Sequence, residues 1–323
     1  MHRITVAICT WNRADLLDQT LNRMRQLIIP DDLKWELLVV NNNSTDHTEE
    51  VIERNATSLP IRKLFERTPG LSNARNRAID EARGELIAWT DDDVLVDTGW
   101  LSAAVAAARQ YPEAGAFGGP IEPWFPIPPN PDLVSAFPAL GRGLCGIDYN
   151  MGEGLLPGPD PIHGANMIFR TSHLHGLRFS TELGARPGTI TSNGQKVEIS
   201  IGGGEEIDFI SRLRARGSGV VWVPTMRVQH YVDPRRATVS YLSRGYFEAG
   251  RLMIRERGIP DGTRLMGVPR WLLRKWVEAC LKLCRDRLWG RRVDALTWLR
   301  KGRYYQGMVL GCRDMATRSR QEN

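Results

Sequence analysis

The sequence predicts an α/β fold built on a largely parallel sheet. Strand-like and helix-like segments alternate through the first 115 residues, the strand-like runs are short and apolar, and the fourth run ends directly in three aspartates. Alternation of this kind places helices on both faces of a sheet. In such open sheets, ligands bind outside the carboxyl ends of the strands, which is where the acidic run falls.

Residues 4–9 form the first apolar run and residues 14–27 the first helical pattern. Residues 35–40 (WELLVV) read as a second strand. It ends in the turn cluster 41–46 (NNNSTD), which can cap a helix over 48–55. Residues 61–65 read as a third strand. Gly70 opens a helix that runs to Ala82 and is closed by Gly84. Residues 86–90 are the fourth strand. From 118 to 161 prolines and glycines are dense, which predicts long loops. A Gly-rich stretch over 184–204 precedes a helix over 205–216 that Gly217 stops, then strands over 220–223 and 227–231. Beyond Asp233 the chain reads as helical, and no internal repeat is visible.

At 323 residues, with 42% hydrophobic and 25% charged content, the chain has ordinary globular composition. Five cysteines without a framework spacing give neither a zinc site nor a disulfide pattern. The first residues lack the apolar core of a signal peptide, and no apolar run approaches the roughly 18 residues of a spanning helix. The expected location is cytoplasmic. Charge is unevenly spread: residues 1–234 carry 22 Lys/Arg and 29 Asp/Glu, residues 235–323 carry 21 and 8, so net charges of −7 and +13 face each other along the chain. Residues 268–289 place Leu272, Trp276, Cys280, Leu283 and Cys284 at helical spacing among many Arg and Lys. This pattern suits a helix lying on an anionic membrane surface over 268–310, on the inner face of the cell membrane, and equally a helix docked on its own domain. No nucleic-acid motif accompanies the charge, so nucleic acid is not an expected partner.

The chemistry centres on Asp91, Asp92 and Asp93. Strand side chains alternate, so Asp91 and Asp93 can point to one side. Hard carboxylate oxygens suit Mg²⁺ or Mn²⁺ bridging to a diphosphate; a solvated acidic turn is the plain alternative. Ile8-Cys9-Thr10-Trp11-Asn12-Arg13, the segment 39–46, Gly70-Leu71-Ser72-Asn73-Ala74-Arg75-Asn76 and Thr90 to Val94 together resemble the family 2 glycosyltransferases in order and spacing. The resemblance implies the GT-A fold: a Rossmann-like nucleotide-binding half, a mixed central sheet, and here a C-terminal helical extension. It implies that Thr10, Asn12, Arg13, Asn41 and Asn43 line the base and ribose pocket, with Asn41 departing from the family's usual Asp. Arg75 is expected to face the base or the diphosphate from its helix N-terminus, Asp91 and Asp92 the nucleotide, and Asp91 and Asp93 the metal.

The second half extends the resemblance. His163 to Arg170 resembles the acceptor-side segment, and Gly203-Gly204-Glu205-Glu206-Ile207-Asp208 the motif whose second acidic residue is the catalytic base. Glu206 takes that position, with Glu205 and Asp208 as the other candidates; a carboxylate at a helix N-terminus stays ionised, as a base must. His230 resembles the His that joins the metal site. The implied activity is metal-dependent, inverting transfer of a sugar from a nucleoside-diphosphate sugar, a UDP-sugar for preference, to a hydroxyl of a saccharide or lipid-linked acceptor in polysaccharide or glycolipid synthesis. A retaining enzyme or a non-catalytic sugar-nucleotide-binding module stands as the alternative. A processive synthase is disfavoured because Arg270-Trp271 lacks a preceding Gln motif and spans are absent. The expected organisation is a nucleotide-sugar half over 1–115, an acceptor and base half of the same domain over 116–234, and a basic helical extension over 235–323.

Overall fold

The computed structural model describes residues 2–158, 162–183, 186–192, 195–201 and 204–321. Strand and helix alternate as β1 (His2–Thr10), α1 (Ala14–Met24), β2 (Leu33–Asn41), α2 (Thr48–Asn55), β3 (Ile61–Phe65), α3 (Leu71–Glu81) and β4 (Leu86–Asp91). A short β5 (Val94–Val96) leads to α4 (Trp100–Gln110), β6 (Ala114–Gly118) and β7 (Ile121–Trp124). Then come α5 (Pro131–Ser135), α6 (Phe137–Leu140), β8 (Gly154–Leu155), β9 (Met167–Arg170), β10 (Arg186–Ser192) and β11 (Gln195–Ile201). The remainder is α7 (Glu205–Ala215), β12 (Gly219–Trp222), β13 (Val228–Tyr231), α8 (Val239–Arg257), β14 (Arg264–Leu265), β15 (Val268–Pro269), α9 (Arg270–Leu288) and α10 (Arg292–Gln321).

The chain divides into two compact units, Met1–Glu122 with Asp148–His230, and Pro123–Ile147 with Tyr231–Asn323. Among the described residues the first holds an eight-stranded sheet in the order β3-β2-β1-β4-β9-β6-β12-β8. β1 pairs in parallel with both β2 and β4, and β2 with β3. β9 runs antiparallel between β4 and β6, so the sheet is mixed. Residues buried on both faces of β1, β2 and β4 form its centre, with Leu17, Leu21 and Met24 of α1 and Trp100, Leu101 and Ala104 of α4 packed against them. The order places the ends of β2, β1 and β4 side by side: Thr10 is level with Asn41, and Cys9 with Asp91.

Three local expectations change. Gly84 does not close α3 in a left-handed cap; Ala82 ends that helix in an extended conformation. Gly84 is glycine because a Cβ there would overlap the backbone of Thr5, whose hydroxyl accepts from the Gly84 N–H at 2.9 Å. The proline-dense segment is not all loop: Asn130 caps α5 by accepting from the Asp132 N–H at 2.8 Å, with Pro131 at the first helical position. Pro159 and Pro161 lie outside the described residues. Within the Gly-rich stretch, β10 and β11 pair antiparallel from Arg186–Ile201 to Ser192–Gln195.

Residues 235–323 are largely helical, as expected, in α8, α9 and α10, with the short β14–β15 pair between α8 and α9. Pro123–Ile147, expected as loops of the acceptor half, fall in the same unit and carry α5 and α6. Ile254, Leu272, Met308, Val309 and Cys312 bring α8, α9 and α10 together, while Leu133, Leu140, Leu144 and Leu242 form a smaller cluster. Among the described residues no helix is long and apolar enough to cross a membrane.

Candidate active site

The acidic run leaves the sheet at the end of β4 and turns the chain into β5. Thr20 of α1, fully buried, holds that turn: its hydroxyl donates to the Asp92 carbonyl at 3.0 Å and accepts from the Val94 N–H at 3.1 Å. Arg13 closes the turn from outside, its Nη1 donating to Asp93 Oδ2 at 2.7 Å and to Asp92 Oδ1 at 3.2 Å. β13 then pairs antiparallel with β5, setting His230 opposite Val94. Asn166 anchors the approach to β13. Its amide donates to the carbonyls of Met226 and Pro120 at 2.6 and 3.1 Å, and its oxygen accepts from the Trp100 indole at 2.9 Å.

These contacts bring His230 Nε2 to 3.6 Å from Asp93 Oδ1 and 3.7 Å from Asp91 Oδ2. One ligand atom from each of Asp91, Asp93 and His230 lies within 4.8 Å of the others. Two donors bound at about 2.1 Å to one ion stand roughly 3–4 Å apart, so the spacing fits a shared cation. Asp93 Oδ1 is buried with no hydrogen-bond donor, an acceptor that a cation would satisfy. Two carboxylates and an imidazole suit Mn²⁺ or Mg²⁺, and the residues present fit such a group.

A second cluster surrounds Arg75. Its guanidinium is almost completely buried, with Nη1 2.6 Å from Glu205 Oε1 and 4.0 Å from Glu206 Oε2, and Nη2 3.7 Å from Asp91 Oδ1. α7 delivers both glutamates from its first turn because Phe209, one turn on, is stacked on Phe179 at 4.2 Å, and Phe179 packs edge-on against Trp89 of β4. The Arg75 guanidinium rests over the Phe179 ring at 5.3 Å. Gly164 is glycine for a similar reason to Gly84: a Cβ there would overlap the Arg75 guanidinium. His163 Nδ1 stands 3.9 Å from Glu206 Oε1.

One cation among several carboxylates cannot hold all of them ionised. Burial pushes Glu205 up to about 7 despite Arg75, with Glu206 adding repulsion. Burial also works on Glu206, but Arg75 and the hydrogen bond from Glu205 outweigh it and hold Glu206 below its ordinary value. Asp92 is likewise raised to about 7 by burial, against the pull of Arg13. Burial raises Asp91, opposed by Arg75 and reinforced by Asp93. The pair Glu205 and Glu206 is therefore split into a proton holder and an anion.

The other expected site residues are placed differently. Thr10 is buried at the end of β1. Asn12 adopts a positive φ of 51° and its side-chain oxygen accepts from the Thr45 N–H at 2.7 Å. Asn41 is buried; its amide donates to Glu49 at 3.1 Å and its oxygen accepts from the Ser44 N–H at 2.9 Å. Asn43, with φ of 65°, donates to the Arg67 carbonyl. Asp208 is taken by Arg212 at 2.6 Å on the same helix and does not join the cluster. Gly203 lies outside the described residues. Thr20, Asn166 and Gly164 were not singled out by sequence, and His163 only as part of a segment. Asn166 and Gly164 sat in that same segment, but their roles depend on distant partners.

Residues 5–124 match the family model Glycosyl transferase family 2. Over those residues the chain is similar to the family 2 glycosyltransferases. Among relatives, the succinoglycan biosynthesis protein ExoM of Rhizobium meliloti (strain 1021) is 23% identical over 256 residues, which is 77% of this chain and 73% of ExoM. The solved structure of S. aureus TarS 1–349 in complex with UDP has a TM-score of 0.55 at 16% identity, covering 94% of this chain and 91% of that one. A mannosyltransferase, PcManGT from Pyrobaculum calidifontis in complex with GDP-Man and Mn²⁺, has a TM-score of 0.53 at 18% identity over 98% of this chain and 76% of its own. These structural neighbours share the GT-A fold of the glycosyltransferase domain. The family and its named relatives make the chain a glycosyltransferase.

Proposed function

We propose that the chain is a divalent-cation-dependent, inverting glycosyltransferase that moves a sugar from a nucleoside-diphosphate sugar to an acceptor hydroxyl. Residues 1–115 take the donor and the stretch 116–234 supplies the base, with Glu206 in that role. The carrying observation is Arg75, which touches Asp91 on the donor side and Glu205 and Glu206 on the base side. A donor seated at the strand ends therefore lies beside an ionised carboxylate.

Asp91, Asp93 and His230 would hold Mn²⁺ or Mg²⁺, which when bound supplies positive charge to the diphosphate leaving group. Glu206 accepts the acceptor's hydroxyl proton while the oxygen forms its bond to the anomeric carbon. The bond from that carbon to the diphosphate oxygen breaks, and its electron pair leaves with the nucleoside diphosphate. One displacement inverts the anomeric centre. Arg75 keeps Glu206 anionic and Glu205 aligned, so its charge serves the base more than the nucleotide. Arg13, Thr10 and Asn12 border the base and ribose side, and Asn41 and Asn43 shape the turn behind it.

Structural neighbours captured with UDP and with GDP-Man and Mn²⁺ support this donor class, and ExoM's part in succinoglycan synthesis supports a saccharide acceptor. A thermal-shift screen of nucleotide sugars with and without Mn²⁺ tests the site. Stabilisation by a nucleoside diphosphate that needs the metal agrees with it, and indifference to every nucleotide overturns it. Glu206→Gln should bind donor normally and lose transfer by two orders of magnitude or more, roughly the weight of a general base.

A further inference from the structure

Helix α9 has two apolar faces. Leu272 and Ala279 are buried on one of them, with Trp276 and Leu283 half-buried beside them. The opposite face carries Val277, Leu281 and Leu288, which are 53%, 67% and 86% exposed, with exposed Cys284 between them. Their spacing of four, three and four residues draws one continuous stripe along the helix. Trp289, 74% exposed, follows at its end. Single exposed apolar residues are ordinary, but a stripe along three turns marks a contact surface.

Charge selects the partner. Residues 270–292 carry eight Lys/Arg against two Asp/Glu. Both acids are neutralised within the helix, Glu278 by Lys282 at 2.7 Å and Asp286 by Arg285 at 2.8 Å. Exposed Arg270, Arg274 and Arg287 remain along the stripe with their positive charge in excess. Two copies apposed through this face would press like charges together. A phosphate backbone would gain nothing from three aliphatic side chains and a tryptophan. An anionic bilayer surface satisfies both parts, since arginine stems run along apolar surface to reach phosphates and tryptophan favours the boundary between headgroup and acyl chain.

We propose that α9 lies in the plane of an anionic membrane surface, with Val277, Leu281, Leu288 and Trp289 at the acyl boundary and Arg270, Arg274 and Arg287 on lipid phosphates. This surface does not depend on the assignment of the catalytic residues.

Co-sedimentation of the full chain with vesicles tests it. Vesicles of phosphatidylcholine alone are compared with vesicles partly replaced by phosphatidylglycerol, across a salt series. Wild type should bind the anionic vesicles at least about tenfold more tightly than the neutral ones. Leu281→Gln/Leu288→Gln should lose about tenfold or more at every salt concentration. Arg270→Gln/Arg274→Gln/Arg287→Gln should lose binding at low salt and flatten the salt dependence. All substituted residues are exposed, so both variants should melt with wild type. Equal binding to neutral vesicles, no binding to either, or leucine variants that bind like wild type would overturn the proposal. So would a wild-type dimer that the leucine changes convert to monomer while vesicles stay unbound.

Discussion

Arg75 Nη1 stands 2.6 Å from Glu205 Oε1, and both side chains are almost completely buried. One guanidinium thus joins the first turn of α7 to the end of β4, where it also meets Asp91 at 3.7 Å. Removing it leaves buried carboxylates without their cation. Arg75→Ala should destabilise the chain by about 3–5 kcal/mol, measured by urea unfolding. Arg75→Lys should recover part of the stability but little of the transfer rate, because a point charge cannot serve carboxylates on two sides. An alanine variant within experimental error of wild type would refute the arrangement.

Gly164 gives a subtler test of the same contact. Gly164→Ala forces a methyl into the Arg75 guanidinium and must displace it from Glu205. We expect a stability cost of about 1–3 kcal/mol, as for other overpacked sites. The fall should be in kcat rather than in donor KM, since the displaced charge acts on the base.

Thr20 bridges the two ends of the aspartate turn. Thr20→Val keeps the shape but strands the Asp92 carbonyl and the Val94 N–H in a buried place. The expected cost is about 1–3 kcal/mol in denaturant unfolding. Metal-dependent stabilisation should weaken with it, because the turn spaces Asp91 from Asp93.

Asp93→Asn and His230→Ala should each abolish most of the melting-temperature gain from Mn²⁺, read for each variant against its own metal-free melting temperature, which in Asp93→Asn also carries the loss of the Arg13 ion pair. A full gain retained in both variants would move the cation elsewhere.

Stability should also record the proton on Glu205. Burial raises this group to about 7, so between roughly pH 4.3, its unfolded value, and 7 the folded chain holds a proton that the unfolded chain has released. That contribution is complete at the acid end and is lost as pH rises through the window. Glu205→Gln cannot titrate. Its deficit relative to wild type, followed by metal-free thermal melts from about pH 5 to about pH 8, should therefore shrink as pH rises. A deficit that stays constant or grows reverses the sign and rejects the raised value.

Much of the nucleotide-side half was legible because its signals are local. Apolar runs, the Asn-rich turn and the glycine before Leu71 mark strands and helix starts within a few residues, and the DxD segment stands at the end of its strand. Asp91, Asp93 and His230 were paired by resemblance, and the β5–β13 register supplies the physical cause. The roles of Arg75, Thr20, Asn166 and Gly164 were not legible, since each is defined by partners 46 to 130 residues away. The protein partners of Asn41 and Asn43 were not legible either: Asn41 accepts from the Ser44 N–H and donates to Glu49, and Asn43 donates to the Arg67 carbonyl 24 residues on. The short helices after Pro123 were hidden because proline both breaks helices and begins them.

The pairing of β13 with β5 has a consequence for how the site comes into being. Asp91 and Asp93 leave the ribosome well before His230, which belongs to the last strand of the first unit. A chain halted anywhere short of β13 would present two aspartates and their Arg13 counter-charge but not their third partner. Under the assignment above, strong cation capture waits for that final strand to add to β5. Binding of Mn²⁺ by a growing or truncated chain would then report that the whole first unit has closed.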